Sequence, residues 1–320
     1  MTKKISHRIC IAPMLKYTDR HYRYLMRLMT KQTMLYTEMV VAHSINDQSE
    51  KRLLDYHAIE HPVALQLIGN DPAVLAKGAL LGERYGYDEI NLNLGCPSNR
   101  VKKAGFGGMM MADVALSVDC FRAMQEAVKI PVTVKIRLSH QEAFIYSDFV
   151  DFVRQLSDAG CRVFIIHART MLNQKRPARA HRHSAVNYEA VYQLKRDFPD
   201  LEIVINGGIA SIESMQVHLK QVDGVMVGQA ACRDPYLFSS VDRVFFADDH
   251  EAPSRQNVLD RYLDYVEKES VDDLPKRQYM LRHIVNLFRG MPGANELRKQ
   301  LAEYVRQGDL LDIRKKLRDD

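Results

Sequence analysis

The segment Asn91-Leu92-Asn93-Leu94-Gly95-Cys96-Pro97 places one thiol at a turn. It begins as an alternating strand and stops at a Gly-Cys-Pro corner, so Cys96 is held by backbone geometry rather than by packing. Strand tips are where α/β folds place their chemistry, which makes this thiol a candidate reactive group. The competing reading is a small buried hydrophobe, the usual fate of a free cysteine. Further along, Gly207-Gly208 and Gly228, followed by Gln229-Ala230-Ala231, leave bare backbone amides after apolar runs. Small residues let N–H groups approach an oxyanion, so both tips suit a phosphate. Glycines that merely end strands are the alternative, and the agreement of the two tips favours phosphate.

These residues need elements to position them. Apolar β-rich runs recur at 9–14, 34–39, 63–68, 89–94, 132–138, 163–168, 202–206 and 224–227. Helical patterns lie between them at 20–29, 73–85, 115–128, 147–159, 188–197, 212–221 and 236–246. Asp71-Pro72 and Asp234-Pro235 read as helix starts, and Gly86 and Gly160 as helix stops. Alternating strands and helices imply parallel strands with helical crossovers, and eight repeats in about 245 residues predict a (β/α)8 TIM barrel. An open doubly wound sheet would want a Gly-rich turn after its first strand, and Ala12-Pro13-Met14-Leu15 offers none. After a charged linker at 247–255, helical patterns at 258–268, 276–288, 294–307 and 310–317 replace the alternation. The expected organisation is an α/β barrel domain over 1–247 and a smaller all-helical domain over 248–320.

A barrel brings its strand ends to one mouth. Those ends carry Pro13-Met14, Glu38, Gln66, Asn93 with Cys96, Lys135 with Arg137, His167 with Arg169, Asn206-Gly207-Gly208 and Gly228-Gln229. So many polar groups on apolar strands are costly unless a polar ligand meets them. Lys135 shares a strand face with Thr133 while Val132, Val134 and Ile136 take the other, so Lys135 points into the mouth. Gln66, Lys135 and His167 are then placed to face the edge of a flat heteroaromatic ring.

The composition is that of an ordinary globular protein, with 46% apolar and 27% charged residues in 320. No apolar run approaches a membrane span, and no leader peptide is evident. Cys10, Cys96, Cys120, Cys161 and Cys232 are scattered, odd in number and without CxxC spacing. That excludes a disulfide framework and a zinc site, and fits a reducing cytoplasmic setting with no metal. The formal charge is only +5, but its distribution is uneven. Residues 169–184 hold Arg169, Lys175, Arg176, Arg179 and Arg182 with no acid, and the chain is again basic from Lys276. A solvated face is the ordinary explanation of one such run; two of them point to a polyanion.

The motifs reach a family. The Cys96 segment, Gln66-Leu67-Ile68-Gly69, Val134-Lys135-Ile136-Arg137, His167-Ala168-Arg169 and Asn206-Gly207-Gly208-Ile209 resemble those of tRNA-dihydrouridine synthases, over nearly the whole chain. Ala12-Pro13-Met14 with Tyr17-Thr18-Asp19-Arg20, and Arg282-His283 through Pro292-Gly293-Ala294, are similar to the subfamily acting on uridines 20 and 20a of the D-loop. The resemblance implies FMN across the barrel mouth, its phosphate on Asn206, Gly207, Gly208, Gly228 and Gln229. Its ring would lie against Ala12, Pro13, Met14, Gln66, Lys135 and His167. NADPH would be the reductant, hydride would go to C6 of uracil, and Cys96 would give a proton to C5. A thiol suits that task, since its ordinary pKa of about 8.5 leaves it protonated yet able to release the proton. Asn93 would help hold the base, and Arg179, Arg182, Asn295 and Arg298 would meet the tRNA, which implies a monomeric RNA-modifying enzyme.

The chain departs from the family pattern in places. Asn295 and Gln229 stand where arginines are usual, the loop 175–182 is worded differently, and Leu138-Ser139-His140-Gln141 lacks the usual glycine and acidic pair. Two rivals exist. A flavin barrel oxidising a free dihydropyrimidine, like dihydroorotate dehydrogenase, would not need the basic loop and tail. An RNA-binding protein without catalysis would not need Cys96, Lys135 and His167 together.

Overall fold

The computed structural model describes residues 5–171, 185–308, 310 and 313–314. Eight strands form the barrel: β1 (Ile9–Ile11), β2 (Met34–Tyr36), β3 (Val63–Ile68), β4 (Glu89–Leu94), β5 (Val132–Ser139), β6 (Val163–Thr170), β7 (Glu202–Asn206) and β8 (Gly224–Val227). Each pairs in parallel with the next, and β1 pairs with β8 as well as with β2, so the sheet closes. The second strand is shorter than its sequence predicts. At Thr37 the side-chain oxygen, rather than a strand partner's carbonyl, accepts the Gln66 N–H at 3.0 Å. Pairing resumes at Val40–Val41 against the end of β3, a segment that the sequence pattern does not reveal.

Helices cover the outside. Asp71 caps Pro72–Tyr85 through the amides of Ala73 and Val74, and Gly86 closes it in a left-handed turn. Asp113 and Asn187 cap Val114–Ala127 and Tyr188–Asp197 in the same way. Asp234-Pro235 behaves differently from its sequence reading. Its carboxylate caps nothing, and the chain makes a 3₁₀ turn over Pro235–Ser240 before the helix Val241–Phe246.

The barrel is filled asymmetrically. Cys10, Ala12, Met34, Tyr36, Ala64, Ile165, Val204 and Met226 make an apolar inner cluster. Between β3, β4 and β5 the filling is polar and fully buried: Gln66, Glu89, Asn91 and Thr133. At the end opposite the mouth, buried His7 pairs with Glu89 at 2.5 Å and Glu202 at 2.9 Å. Burial opposes the charge on His7, but the two carboxylates outweigh it and raise its pKa to about 10.

After the barrel come helices Arg255–Glu269, Leu274–Leu281 and Ala294–Gln307. They share the outer core through buried Val258, Leu259, Tyr262, Leu263 and Val266. The seam is with helix Arg20–Met29: Tyr265 stacks on Tyr24 at 3.7 Å and meets the His21 ring at 2.8 Å. Asp19, the N-cap of that helix, also receives Arg282 at 2.5 Å and His283 at 3.0 Å. Those two side chains turn toward Asp19 where the sequence predicts helix continuing to 288; instead helix ends at Leu281 and resumes as a 3₁₀ turn over Ile284–Asn286. The helix expected at 310–317 lies mostly outside the described residues. Among those described, no helix is long and apolar enough to cross a membrane.

Burial opposes the charge on Asp19, yet His283 and Arg282 outweigh it and hold the carboxyl well below the usual carboxylate range. Its contribution is therefore complete above the ordinary carboxylate pKa and disappears only as pH falls into strong acid. Asp19→Ala strands Arg282 and His283 without their shared acceptor and removes a helix cap, so it should cost about 3 kcal/mol in urea unfolding at neutral pH. The same variant should expose the C-terminal helices to limited proteolysis.

Candidate active site

The Cys96 corner is built from three directions. Asn93 Oδ1 accepts the backbone amides of Gly95 at 3.1 Å and Cys96 at 2.9 Å. Arg137 Nε donates to the Gly95 carbonyl at 2.7 Å, and the Gly108 amide donates to the Cys96 carbonyl at 3.2 Å. The thiol points toward the Ser98 hydroxyl at 3.6 Å. Cys96 is half-buried, whereas Cys10, Cys120, Cys161 and Cys232 are buried. Burial pushes the thiols of those four upward. Cys96 therefore differs from the other four in being partly accessible on a braced corner, although it also packs against the apolar cluster of Ile68, Val101 and Phe106.

Both amide acceptor positions on Asn93 Oδ1 are taken, and its Nδ2 donates to Gln66 Oε1 at 2.8 Å. One N–H of Asn93 is left. A group that meets it has to be an acceptor, such as a carbonyl.

Lys135, Arg137, His167 and Arg169 gather around the same mouth from β5 and β6. Lys135 Nζ donates to Asn206 Oδ1 at 3.2 Å, and Arg137 Nη1 to the Thr170 carbonyl at 3.3 Å. Among the described residues, none of Lys135, Arg137 and Arg169 has a carboxylate partner. Burial, with the charge of Arg137 added, brings the Lys135 pKa down to about 7, although Cys96 opposes that shift. Burial also lowers Arg137 to about 10. His167 falls well below its ordinary value through burial and then through the charges of Arg137, Lys135 and Arg169, so its imidazole is neutral. Cations that depress one another without an acid among the described residues to balance them suit an anionic ligand.

Beside them the backbone is bare. Gly207 and Gly208 have φ of 122° and 76°. A Cβ on Gly207 would sit 2.8 Å from the His167 ring, and one on Gly208 would sit 2.8 Å from Tyr188 Oη. Tyr188 OH donates to the Gly207 carbonyl at 2.7 Å and holds the turn, a role no sequence signal shows. Asn206 is placed otherwise than its phosphate reading implies. Its carboxamide turns into the barrel, taking Lys135 on Oδ1 and giving Nδ2 to the Met226 carbonyl at 2.7 Å. Across the mouth, a Cβ on Gly228 would meet Met14 Sδ at 3.4 Å and Ala12 Cβ at 3.5 Å, so the tips of β8 and β1 adjoin. Pro13 and Gln229 are half-buried at that junction. The small-residue cradle and the unbalanced cations fit a phosphorylated flavin.

The expected RNA contacts are distributed differently. Arg179 and Arg182, with Lys175 and Arg176, lie outside the described residues. Asn295 is exposed near the start of helix Ala294–Gln307. Arg298 is half-buried and donates to Asn286 Oδ1 at 2.9 Å, while Asn286 donates to the Cys232 carbonyl at 3.0 Å. This arginine therefore also ties the tail to the segment after β8.

The family model for dihydrouridine synthase (Dus) matches residues 10–318. The chain belongs to this family. It is 46% identical to the tRNA-dihydrouridine(20/20a) synthase of Synechocystis sp. over 92% of this chain and 88% of the relative. The proteins of the same name from Pseudomonas putida and Salmonella typhi are 43% and 45% identical, covering 94% and 93% of this chain and 89% and 90% of theirs. Among solved structures, a 2-naphthoyl-CoA reductase complex superposes with a TM-score of 0.55 at 10% identity, over 74% of this chain and 50% of that one. That likeness concerns the fold alone. As a dihydrouridine synthase family member the chain is a flavin-type oxidoreductase.

Two buried groups titrate in opposite directions. Lys135 is depressed to about 7, so its contribution to stability rises with pH from there to the ordinary lysine range. His7 is raised to about 10, so its contribution is complete below 6.5 and is lost as pH rises through about 10. Urea midpoints of the protein without added cofactor, taken at both ends of this window, should show the two signs. Measured against the parent, Lys135→Met should lose its advantage as pH rises, and His7→Asn should recover.

Proposed function

We propose that this protein reduces uridine to 5,6-dihydrouridine in the D-loop of tRNA, at positions 20 and 20a, using FMN and NADPH. The observation that carries the reading is the half-buried Cys96 thiol on a corner braced by Arg137, at a mouth whose cations have no carboxylate partner among the described residues, in a chain of this family. The backbone of Gly207, Gly208, Gly228 and Gln229 would hold the phosphate. Ala12, Pro13, Met14, Gln66, Lys135 and His167 would border the ring. A bound flavin, reduced by NADPH, supplies the hydride that C6 of the base receives.

The residues of the chain do the remainder. The base has to leave the RNA stack to enter the mouth. The free N–H of Asn93 favours a base carbonyl and opposes an exocyclic amino group, which suits uracil and disfavours cytosine. Cys96 Sγ delivers its proton to C5, and the thiolate it leaves lies in the field of Lys135 and Arg137. Solvent then returns the proton to sulfur. The basic loop with Arg179 and Arg182, and the tail with Asn295 and Arg298, would hold phosphates of the RNA. We assign the barrel to 1–247, the RNA-binding helices to 248–320, and place a monomeric enzyme in the cytoplasm.

The purified protein should be yellow and release FMN on denaturation; a colourless preparation that takes up no FMN overturns the assignment. Cys96→Ala should keep its flavin and its reduction by NADPH while dihydrouridine formation, followed by mass mapping of tRNA, falls by about 10²- to 10⁴-fold. Replacing Arg179 and Arg182 together by Ala should weaken tRNA binding and lower the slope of log affinity against log salt by about 1 to 2.

A further inference from the structure

The polar filling of the barrel is a continuous relay. From the mouth downward, Asn93 Nδ2 donates to Gln66 Oε1 at 2.8 Å, and Gln66 Nε2 to Asn91 Oδ1 at 2.7 Å. Asn91 Nδ2 then donates to Thr133 Oγ1 at 2.8 Å, and the Thr133 hydroxyl to Glu89 Oε1 at 2.6 Å. Tyr36 OH reaches the same oxygen at 3.0 Å, and His7 holds Glu89 Oε2 at 2.5 Å. Every side chain in the run is buried.

The direction of this relay is decided at both ends. At the top, the amides of Gly95 and Cys96 can only donate, so Asn93 must present its oxygen to them and its nitrogen to Gln66. At the bottom, the Glu89 carboxylate can only accept, so Thr133 must spend its proton downward and accept from Asn91. His7, raised to about 10 by its carboxylate neighbours, keeps a cation beside Glu89. Between these ends, turning the Gln66 amide over alone would set N–H against N–H toward Asn93 and oxygen against oxygen toward Asn91. Turning Gln66 and Asn91 over together would leave the first mismatch and would take the Thr133 proton away from the carboxylate. Each such buried mismatch is expensive.

We propose that Glu89, Thr133 and Asn91 are positioning residues whose one-way relay, run through the closed half of the barrel, decides which way round the Gln66 amide meets the flavin ring. The inference rests on the reading that Gln66 borders that ring. After its two relay bonds, Gln66 retains one N–H and one oxygen lone pair, and the relay determines where each lies. All three positioning residues are fully buried on the far side of Gln66 and act through it.

The test uses the full-length protein as purified and the pair Thr133→Val and Thr133→Ser. Valine keeps the shape and removes the hydroxyl, whereas serine keeps the hydroxyl. The first readout needs no cofactor: solvent exchange of the Gln66 and Asn91 side-chain amide protons, followed by NMR. Exchange should be at least tenfold faster in Thr133→Val and should return to the parent rate in Thr133→Ser. The second readout is the bound flavin. Thr133→Val should shift its reduction equilibrium by about tenfold, or about 30 mV for a two-electron couple, with kcat lowered and KM for tRNA unchanged. Thr133→Ser should restore both. A Thr133→Val protein that matches the parent in amide exchange and potential overturns the proposal. So does a Thr133→Ser protein as altered as Thr133→Val, because bulk rather than the hydroxyl would then be responsible. If the parent takes up no FMN, the assigned function fails, and the amide exchange still decides the relay.

Discussion

The Cys96 corner of this molecule depends on one carboxamide oxygen. Asn93 Oδ1 takes the amides of Gly95 and Cys96 and so directs the path of the chain as it leaves β4. Neither amide has a strand partner once the ladder ends, so without Asn93 both would be left to water or unpaired. Arg137 completes the brace by holding the Gly95 carbonyl from the neighbouring strand. The thiol is thereby presented by backbone that cannot turn freely. Its position relative to the mouth is a property of two adjacent strand ends rather than of a mobile loop.

The second constraint is electrostatic. A protein interior tolerates Lys135, Arg137, His167 and Arg169 together only at a cost that shows in their lowered proton affinities. The fold meets that cost with packing elsewhere, in the extensive apolar shell between the strands and the outer helices. The unbalanced charge is stored at the site, and an anionic ligand would relieve it, so binding of such a ligand and stability should rise together. This is the opposite of the closed end of the barrel, where His7 and Glu89 balance each other without any ligand.

Much of this was legible in the residues. The eight strand runs stand out because parallel strands covered on both faces are apolar and short, and Asp71-Pro72 and Gly86 mark a helix at both ends. The strand-tip residues were legible for the same reason, since period-two alternation places Thr133 and Lys135 on one face. What escaped was set by distant partners. Asn206 reads as a rim residue, and only the arrival of Lys135 and the Met226 carbonyl turns it inward. Tyr188 reads as an ordinary helix residue until the Gly207 carbonyl is seen beneath it. Glu89 and Asn91 look like the polar half of an alternating strand, and nothing local says that they join Gln66 to His7. The helix end at Leu281 coincides with the turn of Arg282 and His283 toward Asp19, more than two hundred residues earlier in the chain.

The seam between barrel and tail has a mechanical meaning. Arg282 donates not only to Asp19 but also, at 3.1 Å, to the carbonyl of Lys16, a residue in a left-handed turn whose own amide is held by Glu38. That turn begins at Met14, whose carbonyl receives the amides of Tyr17 and Thr18 and whose sulfur lies against the tip of β8. The tail and the rim of the barrel opening are thus hinged on the same few backbone groups. A macromolecule pressing on the helices would load this turn directly, and with it both Met14 and, through the Lys16 amide, Glu38.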